Sequence, residues 1–339
     1  ISLGLVGSEM CIRDRPYTEV CLFVYGMYLN KITMAKILIA TEKPFAKVAV
    51  DGIKEVAETA GLEIVLLEKY TEKAQLLAAV ADVEAMIIRS DKIDNEVFDA
   101  AKNLKIVVRA GAGYDNVDLA AATAHGVVVM NTPGQNSNAV AELVFGMLVF
   151  AVRNFYNGKA GTELKGKKLG ILAYGNVGRR VAHIAKGFDM DVYAYDAYCP
   201  AAAIESDGVK AVSSQDELFE KCEVVSLHIP ATAETRQSIN YALVGKMPKG
   251  GVLVNTARKE VINEPELLKL MQDRTDLKYV TDIMPEADAD FRILEGRYFS
   301  TPKKMGAQTA EANINAGVAA AHQIAAFFKD GCTKYQVNK

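Results

Sequence analysis

Short apolar runs alternate with longer amphipathic ones along the chain from Met34 onward. The runs KILIA, EIVLLE, AMIIRS, LKIVVRAG and VVVMN are rich in β-branched residues, and stretches such as AKVAVDGIKEVAETAG, with apolar residues at helical spacing, separate them. Strands that are apolar on both faces and alternate with amphipathic helices indicate a parallel sheet covered by helices on both sides. The pattern therefore predicts a doubly wound unit in the first part of the chain.

A second alternation follows the turn segment NTPGQNSN and an apolar helix at about 139–155. Its strands are KLGILAYG, DVYAYD, EVVSLHI, GVLVNTA and KYVTDI. The expected fold is therefore α/β, with two doubly wound parallel-sheet domains, the first flavodoxin-like and the second Rossmann-like. The last helix, at about 309–329, is long enough to return to the first domain. We predict that residues 34–132, completed by 306–339, form the first domain and that residues 133–305 form the second.

Residues 1–33 are treated separately because they show no regular hydrophobic period. The string ISLGLVGSEMCIRDRP resembles a translated sequencing-adapter artefact, so we interpret this segment as a non-native leader. The alternative is a targeting leader built on VCLFVYGMYL. It is less favoured, because Thr18 and Glu19 precede that stretch where a signal peptide carries positive charge.

Composition excludes several classes of protein. The chain has 339 residues, 24% of them charged, and a formal charge of −3, so it lacks the surplus of Lys and Arg that binding to nucleic acid needs. Apolar runs fall short of the ~20 residues that cross a bilayer. The five cysteines form no CxxC pair or metal-ligand spacing, which favours free thiols in a reducing cytosol. We expect a soluble cytoplasmic protein with a small-molecule partner, no nucleic-acid or membrane partner, and no metal.

The strand KLGILAYG runs directly into a glycine motif and a helix. Ala173, Gly175 and Gly178 take the three glycine positions of G-x-G-x-x-G, where small side chains let a pyrophosphate meet helix N–H groups. Asp196 ends the next strand, 18 residues after Gly178 (196 minus 178), where a carboxylate can bind a ribose diol. No Arg or Lys follows in AYCP, so NAD is favoured over NADP. A tight βα turn with an incidental aspartate is the weaker alternative. The predicted cofactor residues here are Tyr174, Gly175, Asn176, Val177, Gly178 and Asp196.

Three further segments carry a family resemblance. RAGAGYDNVDL with NTPGQN, SLHIPATAETRQSIN with GVLVNTAR, and STPKKMGAQTAEA resemble the D-isomer-specific 2-hydroxyacid dehydrogenases, and together they span nearly all of Met34 to Lys339. Within that family, AMIIRS and RAGAGYDNVDL are most similar to the phosphoglycerate dehydrogenases. The resemblance implies hydride transfer from a D-2-hydroxy acid to NAD, with D-3-phosphoglycerate, a precursor of serine, as the expected substrate.

Two alternatives to that activity stay open. One is another D-2-hydroxyacid enzyme, such as a hydroxypyruvate or glyoxylate reductase, and the other is a catalytically silent, NAD-sensing binding protein. Because the family is usually dimeric or larger, we expect a homodimer. The chain stops soon after its last helix, so we expect the amino-acid-binding regulatory domain of longer relatives to be absent.

The resemblance also implies roles for individual residues. Arg258, which ends GVLVNTAR, would bind the substrate carboxylate and carbonyl, since a planar guanidinium can hold a carboxylate bidentately. Backbone N–H groups of Ala110 and Gly111 would approach the same carboxylate. Arg89, with Ser90, would hold a 3-phosphate, although a structural salt bridge is an equal alternative for Arg89. The cofactor would further contact His228, Pro230, Thr256, Ala257, Arg258 and Asp282. His228 is interpreted as structural rather than catalytic.

The family's acid–base residue is a histidine directly after Thr-Pro, and here the sequence departs from the family. STPKKMGAQT carries Lys303 and Lys304 instead. Counting back from GAQT places Lys304 in the histidine position, whereas counting on from Thr-Pro places Lys303 there; we favour Lys304. A lysine acts as a base when burial or nearby cations lower its pKa. The alternatives are that both lysines bind phosphate or that activity has been lost.

The glutamate that partners this histidine in the family is displaced as well. The family's spacing from Arg258 falls on Ala287, which lies between Glu286 and Asp288. We expect one of these two carboxylates to serve the lysine, and we favour Glu286.

Overall fold

The computed structural model describes residues 34–339, so the predicted leader at residues 1–33 lies outside the described residues. The described strands form one five-stranded and one seven-stranded sheet, and every strand pair in both sheets is parallel.

The first sheet has the strand order β2-β1-β3-β4-β5, which is the 2-1-3-4-5 order of flavodoxin-like folds. Its strands are β1 Lys36–Thr41, β2 Glu63–Glu68, β3 Ala85–Ile88, β4 Ile106–Arg109 and β5 Val128–Asn131. The intervening helices are α1 Lys47–Thr59, α2 Lys73–Val80, α3 Asn95–Ala100 and α4 Leu119–Ala124. All residues of β3 are buried, because helices cover both faces of the sheet.

The second sheet has the order β12-β11-β10-β9-β6-β7-β8. Numbered from β6, this is the Rossmann order 3-2-1-4-5-6 with a seventh strand at one edge. Its strands are β6 Lys168–Leu172, β7 Asp191–Tyr195, β8 Lys210–Ala211, β9 Val224–Leu227, β10 Val252–Asn255, β11 Lys278–Thr281 and β12 Tyr298–Ser300. The helices are α5 Ser137–Val152, α6 Asn176–Gly187, α7 Ala201–Glu205, α8 Gln215–Lys221, α9 Tyr241–Val244, α10 Glu264–Asp273 and α11 Asp288–Arg292. Short 3₁₀ turns occupy Asn154–Tyr156 and Lys259–Val261.

The last helix, α12 Ala310–Asp330, packs on the first sheet. The Thr309 side chain caps its first turn by accepting from Ala312 N, and Gly331 ends it in the left-handed conformation. Ala320 and Ile324 are fully buried in the core that β1 and β3 share. The predicted α/β fold with two doubly wound sheets is confirmed. The boundaries at 34–132 with 306–339 and at 133–305 stay a prediction.

Candidate active site between the two sheets

The turn between β6 and α6 brings the first turn of the helix close to the end of the strand. Ala173, at the first glycine position, adopts φ +76°, a left-handed conformation that costs an L-residue energy. Gly178 is buried, and a Cβ there would overlap the Ala173 carbonyl oxygen. Gly175 is the N-cap of α6, and Asn176 and Val177 form its first turn. The predicted residues therefore lie together at the start of a 12-residue helix, where N–H groups face any anion bound at the turn.

Asp196 follows β7 and is held by backbone donors. Its carboxylate accepts from the N–H groups of Tyr174 at 2.7 Å, Tyr198 at 2.7 Å and Cys199 at 2.8 Å. Partial burial opposes ionisation, but these three hydrogen bonds and the nearby Arg179 lower the pKa of Asp196. The carboxylate is thus fixed and negatively charged beside the helix start.

Arg179 was not considered in the sequence analysis of cofactor choice, although it is a cation close to Asp196. Its Nη1 is ion-paired with Asp207, and its guanidinium lies 4.8 Å from the centre of the Tyr174 ring. Tyr174 OH also donates to Asp207 Oδ2 at 3.1 Å. The Arg179 charge is thus paired with Asp207, whereas the Asp196 carboxylate is held by backbone N–H groups and has no ion pair within the described residues.

Two buried polar atoms lie without partners at the carboxyl ends of β10 and β11. Within residues 34–339, Thr256 Oγ1 and Asp282 Oδ1 are shielded from solvent and have no hydrogen-bond partner. The other Asp282 oxygen accepts from Gly306 N at 2.7 Å, and burial raises the pKa of Asp282. Buried polar atoms are usually satisfied, so each of these two needs an explanation, of which contact with a bound ligand is one. A carboxamide carries both a donor and an acceptor and would offer a partner to either atom.

Asn255 fixes the turn that carries Thr256, Ala257 and Arg258, and the sequence analysis missed it. Its Oδ1 accepts from Ala257 N at 2.9 Å, and its Nδ2 donates to Arg258 O at 3.0 Å. The signal was present, because a buried asparagine at the end of an apolar strand needs local partners.

His228 and Pro230 lie on the loop after β9, as predicted. The His228 Nε2 is 2.9 Å from Ser226 Oγ. Burial lowers the pKa of His228 to about 3, so its ring stays neutral at physiological pH. The Pro230 carbonyl accepts from Thr235 Oγ1. A neutral ring with a fixed partner agrees with a structural role for His228.

Arg258 reaches from the end of β10 toward the first sheet. Its Nη1 donates to the neighbouring Ala257 carbonyl at 3.0 Å, and its Nη2 lies 3.9 Å from Asp115 Oδ2, on the loop after β4. The carboxyl edges of both sheets therefore meet at Arg258, where ligands of open α/β sheets bind.

Lys303 and Lys304 face different parts of the cleft. Lys304 Nζ donates to the Ala257 carbonyl at 3.2 Å, next to Arg258. Protein atoms around this ammonium group and the Arg258 charge lower the pKa of Lys304, while Asp282, Asp115 and Glu260 partly offset the shift. Both lysines are exposed, and Lys303 lines a neighbouring cavity that does not include Lys304. Only Lys304 of the two is placed beside Arg258.

The cavity beside Lys303 is about 350 Å³ and carries four cationic side chains. They are Lys43, Arg89, Arg109 and Lys303. Ser90, Ala110 and Gly111 line it as well, so residues expected at the phosphate and at the carboxylate border the same cavity, and their separate roles stay predictions. Of the five main cavities in the described residues, this one is lined by the most lysine and arginine side chains.

Arg89 is largely engaged with the protein. Its Nη1 donates to the carbonyls of Lys43 and Pro44 at 2.9 and 3.0 Å, and its Nη2 donates to Asn313 Oδ1 at 2.7 Å. These contacts tie α12 to the loop after β1. The structural alternative for Arg89 therefore has support, although its partners are carbonyl and amide oxygens rather than a carboxylate.

Arg109 is the cation that the sequence analysis missed. Its Nε donates to the Arg89 carbonyl at 3.0 Å, and its guanidinium packs under Gly111, where any Cβ would overlap it. Burial, together with the charges of Arg89 and Arg258, lowers the pKa of Arg109. Its position could have been inferred, because Arg109 ends β4 in register with Ile88, the residue before Arg89.

The expected carboxylate partner of Lys304 is not where the sequence placed it. Glu286 is 80% exposed and binds Lys259 Nζ at 2.8 Å. Asp288 accepts from Arg292 Nε at 2.6 Å and from Tyr298 OH at 2.7 Å. Both carboxylates are thus engaged by other side chains, and neither is among the charges that act on Lys304, so the structure gives the preference for Glu286 no support. Asp282, Asp115 and Glu260 are the carboxylates whose charges act on Lys304.

Local hydrogen bonds explain the outward course of this segment. The Glu264 carboxylate, in the first turn of α10, accepts from the backbone N–H groups of Glu286 and Ala287 at 3.1 and 2.9 Å. Family spacing could not reveal this anchor, since it joins the first turn of α10 to a loop 22 residues further along the chain.

The described residues, 34–339, also bear on metal binding and on membrane insertion. No group of three or more His, Cys, Asp or Glu side chains lies close enough to hold a metal ion there. No helix in the same range is long and apolar enough to span a bilayer.

Comparison with known proteins gives consistent matches. Residues 147–298 match the sequence profile of the family described as D-isomer specific 2-hydroxyacid dehydrogenase, NAD binding domain. A hydroxypyruvate reductase of Thermotoga maritima is 34% identical over 284 residues, which cover 77% of this chain and 90% of that protein. A D-3-phosphoglycerate dehydrogenase of Methanocaldococcus jannaschii is 33% identical over 291 residues, 81% of this chain. The chain spans about half of that relative's length, 55%.

A solved structure is similar over almost its whole length. The NAD⁺-bound 3-phosphoglycerate dehydrogenase of Entamoeba histolytica is 48% identical, with a TM-score of 0.81, and the match covers 91% of this chain and 99% of that one.

Proposed function

The chain belongs to the family of D-isomer-specific 2-hydroxyacid dehydrogenases, and on that premise we propose that it oxidises D-3-phosphoglycerate to 3-phosphohydroxypyruvate with NAD. The observation that carries the choice of substrate is the cavity with four cationic side chains, one of which, Arg109, is near enough to Arg258 for that charge to lower its pKa. Two relatives named as phosphoglycerate dehydrogenases, from Methanocaldococcus jannaschii and Entamoeba histolytica, support it.

The carboxylate of the substrate would bind at Arg258. The guanidinium can hold a carboxylate in a bidentate manner. Gly111, on the loop after β4, is the backbone donor proposed to assist it, whereas the Ala110 N–H is not free to do so, because it already donates to the Ile88 carbonyl at 2.8 Å. This arrangement leaves the substrate's C2 hydroxyl near Ala257, where Lys304 is anchored.

The phosphate would bind in the cationic cavity. Arg109, Lys43 and Lys303 supply positive charge there, and Arg89 supports the wall through its contacts with the loop after β1. A dianionic group gains strong charge-assisted hydrogen bonds in such a place. An unphosphorylated hydroxy acid has nothing to pair with these cations.

The cofactor residues fit NAD. The start of α6 faces the pyrophosphate, Asp196 faces the ribose diol and disfavours a 2′-phosphate, and Thr256 with Asp282 offers the unsatisfied polar atoms that a carboxamide needs. When bound, NAD supplies the nicotinamide ring that accepts the hydride.

Lys304 would act as the general base. Its neutral amine takes the proton of the C2 hydroxyl as the hydride leaves C2, and Arg258 stabilises the developing carbonyl oxygen. Desolvation by the surrounding protein atoms and the Arg258 charge lower the pKa of Lys304, so a larger fraction of it is neutral than of an ordinary lysine.

A pair of matched substrates tests this proposal. We expect kcat/KM for D-3-phosphoglycerate to exceed that for D-glycerate, which lacks the phosphate, by more than ~100-fold, because several charge-assisted contacts depend on the phosphate. Lys303→Gln should lower this ratio by raising KM for phosphoglycerate. Lys102→Gln is the control, since this exposed lysine precedes β4 at the edge of the sheet opposite the cleft.

Other outcomes identify the alternatives. Equal use of both substrates, or faster reduction of hydroxypyruvate, would favour a hydroxypyruvate reductase, which the Thermotoga maritima relative is named as. Binding of NAD without turnover of any hydroxy acid would favour the NAD-sensing protein. A homodimer and a cytoplasmic location stay predictions, which light scattering and cell fractionation would test.

A further inference from the structure

Asp115 faces the active-site cations, although the proposed reaction gives it no role. It lies on the loop after β4, whereas Arg258 follows β10 in the other sheet. Its Oδ2 is 3.9 Å from Arg258 Nη2, and its side chain is 89% exposed. A Cβ on Gly113 would lie 3.2 Å from Arg258 Nη2 and 3.4 Å from Asp115 Oδ2, so the loop backbone itself approaches this pair.

The charge of Asp115 acts on cations from both sheets. Besides facing Arg258, it raises the pKa of Arg109 and of Lys304, opposing the burial that lowers both. The substrate carboxylate proposed above needs the same guanidinium. The Asp115 carboxylate and a substrate carboxylate at the same guanidinium repel each other. The exposed Asp115 side chain therefore has to move away when the substrate binds.

We propose that Asp115 is the displaceable counter-ion of Arg258, which neutralises the guanidinium while the cleft is empty and weakens its hold on the carboxylates of substrate and product. The inference rests on the proposed function, because it concerns the same site. The benefit is release: a trianionic product in a cleft with six cationic side chains would otherwise dissociate slowly. Those side chains are Lys43, Arg89, Arg109, Arg258, Lys303 and Lys304.

Charge-removing variants test the proposal. Asp115→Asn should lower KM for D-3-phosphoglycerate roughly threefold to tenfold without raising kcat, as expected for loss of an opposing charge in a partly exposed site. Asp115→Ser also removes the charge and serves as the second variant. Asp115→Glu should restore the KM of the unaltered protein. Asp82→Asn is the control, since it removes an exposed charge that pairs with Lys36 at the start of β1.

Ionic strength and pH provide readouts that a purely structural role would not change. The gain in affinity should shrink between ~0.01 and ~1 M salt, where the Debye length falls from ~30 to ~3 Å. Among the described residues, Asp115 is one of three carboxylates whose charges raise the pKa of Lys304 against the opposing charge of Arg258. Without it only Asp282 and Glu260 remain to do so, and the pKa of Lys304 therefore falls further. The rise of kcat/KM with pH should therefore move to lower pH in Asp115→Asn.

Calorimetric titration with oxalate separates this inference from the proposed function. If the unaltered protein does not oxidise phosphoglycerate but Asp115→Asn binds oxalate more tightly, the function is wrong and the inference stands. If the unaltered protein oxidises phosphoglycerate while both neutral variants keep its KM, oxalate affinity and pH profile, the inference is wrong and the function stands. Failure of every variant to bind oxalate also overturns the inference.

Discussion

Lys303 and Lys304 are adjacent residues whose side chains have different surroundings. Lys304 donates to the Ala257 carbonyl beside Arg258, whereas Lys303 lines the cationic cavity with Arg109. Counting residues from either end of the motif gave two answers. The contacts support Lys304 as the base and Lys303 as a ligand for the substrate's phosphate.

Replacement of each lysine by alanine should separate these roles. Lys304→Ala should lower kcat by roughly 10² to 10⁴, the usual contribution of a positioned base, with little change in the affinity for NAD. Lys303→Ala should mainly raise KM for phosphoglycerate. Steady-state kinetics with both variants, and equilibrium titration with NAD, provide the measurements.

If Lys304 is the base, the direction of the pH dependence follows. Oxidation needs the neutral amine, so kcat/KM should rise with pH until it passes the pKa of Lys304, which lies below the ordinary 10.5. A histidine base would level off near its ordinary pKa of about 6.5. A profile that is flat above pH 7 and equally mild effects of both replacements would show that neither lysine is the base.

Several residues at this scale could not be assigned from the sequence. The preference for Glu286 came from family spacing, but Lys259 captures that carboxylate and Glu264 holds the backbone beside it. Both contacts join residues more than 20 positions apart, and no local pattern encodes them. The position of Arg109, in contrast, could have been inferred, since Arg89 directly follows β3 and Arg109 ends β4, the neighbouring parallel strand.

At the scale of elements, the strand–turn–helix unit around Ala173 was predicted well. The strand β6, the small residues and Asp196 at the end of β7 stand in the order that a dinucleotide turn requires. Periodicity and glycine spacing report such units because they are local. What the sequence analysis did not foresee is that Ala173 keeps the left-handed conformation of the glycine it replaces.

This strained alanine leads to a stability prediction. A left-handed conformation costs an L-residue about 1–2 kcal/mol, and glycine offsets part of the gain by raising the entropy of the unfolded chain. Ala173→Gly should therefore stabilise the protein by about 0.5–1 kcal/mol in urea unfolding. Ala78→Gly, at an exposed position within α2, is the control and should destabilise it by about 1 kcal/mol. Equal destabilisation by both replacements would contradict the strain.

At the scale of the whole molecule, the return of α12 to the first sheet was inferred from the length of this helix. The structure adds the contacts that make the return specific. Arg89 binds Asn313 on α12, and the chain after the helix forms an antiparallel bridge between Met130 and Gln336. These contacts join residues more than 200 positions apart. The sequence therefore predicts the helix but not the surface on which it packs.

The two sheets have separate cores, which predicts how the molecule unfolds. Ile324 of α12 is fully buried in the core of the first sheet, whereas Val181 of α6 is buried in that of the second. Ile324→Ala should cost about 2–5 kcal/mol, the usual range for such truncations, and should lower the unfolding transition of the first domain. NAD at about 100 times its Kd adds about 2.7 kcal/mol to the free energy of unfolding of the domain that binds it.

Calorimetry of Ile324→Ala with and without NAD tests this separation. We expect two transitions, of which the lower reports the first domain and the upper, which contains the β6 turn and Asp196, shifts upward with NAD. Val181→Ala should instead lower the NAD-sensitive transition. If NAD and either replacement move a single transition together, the contacts across the cleft couple the two cores into one cooperative unit. The site between the sheets would then contribute to folding as well as to catalysis.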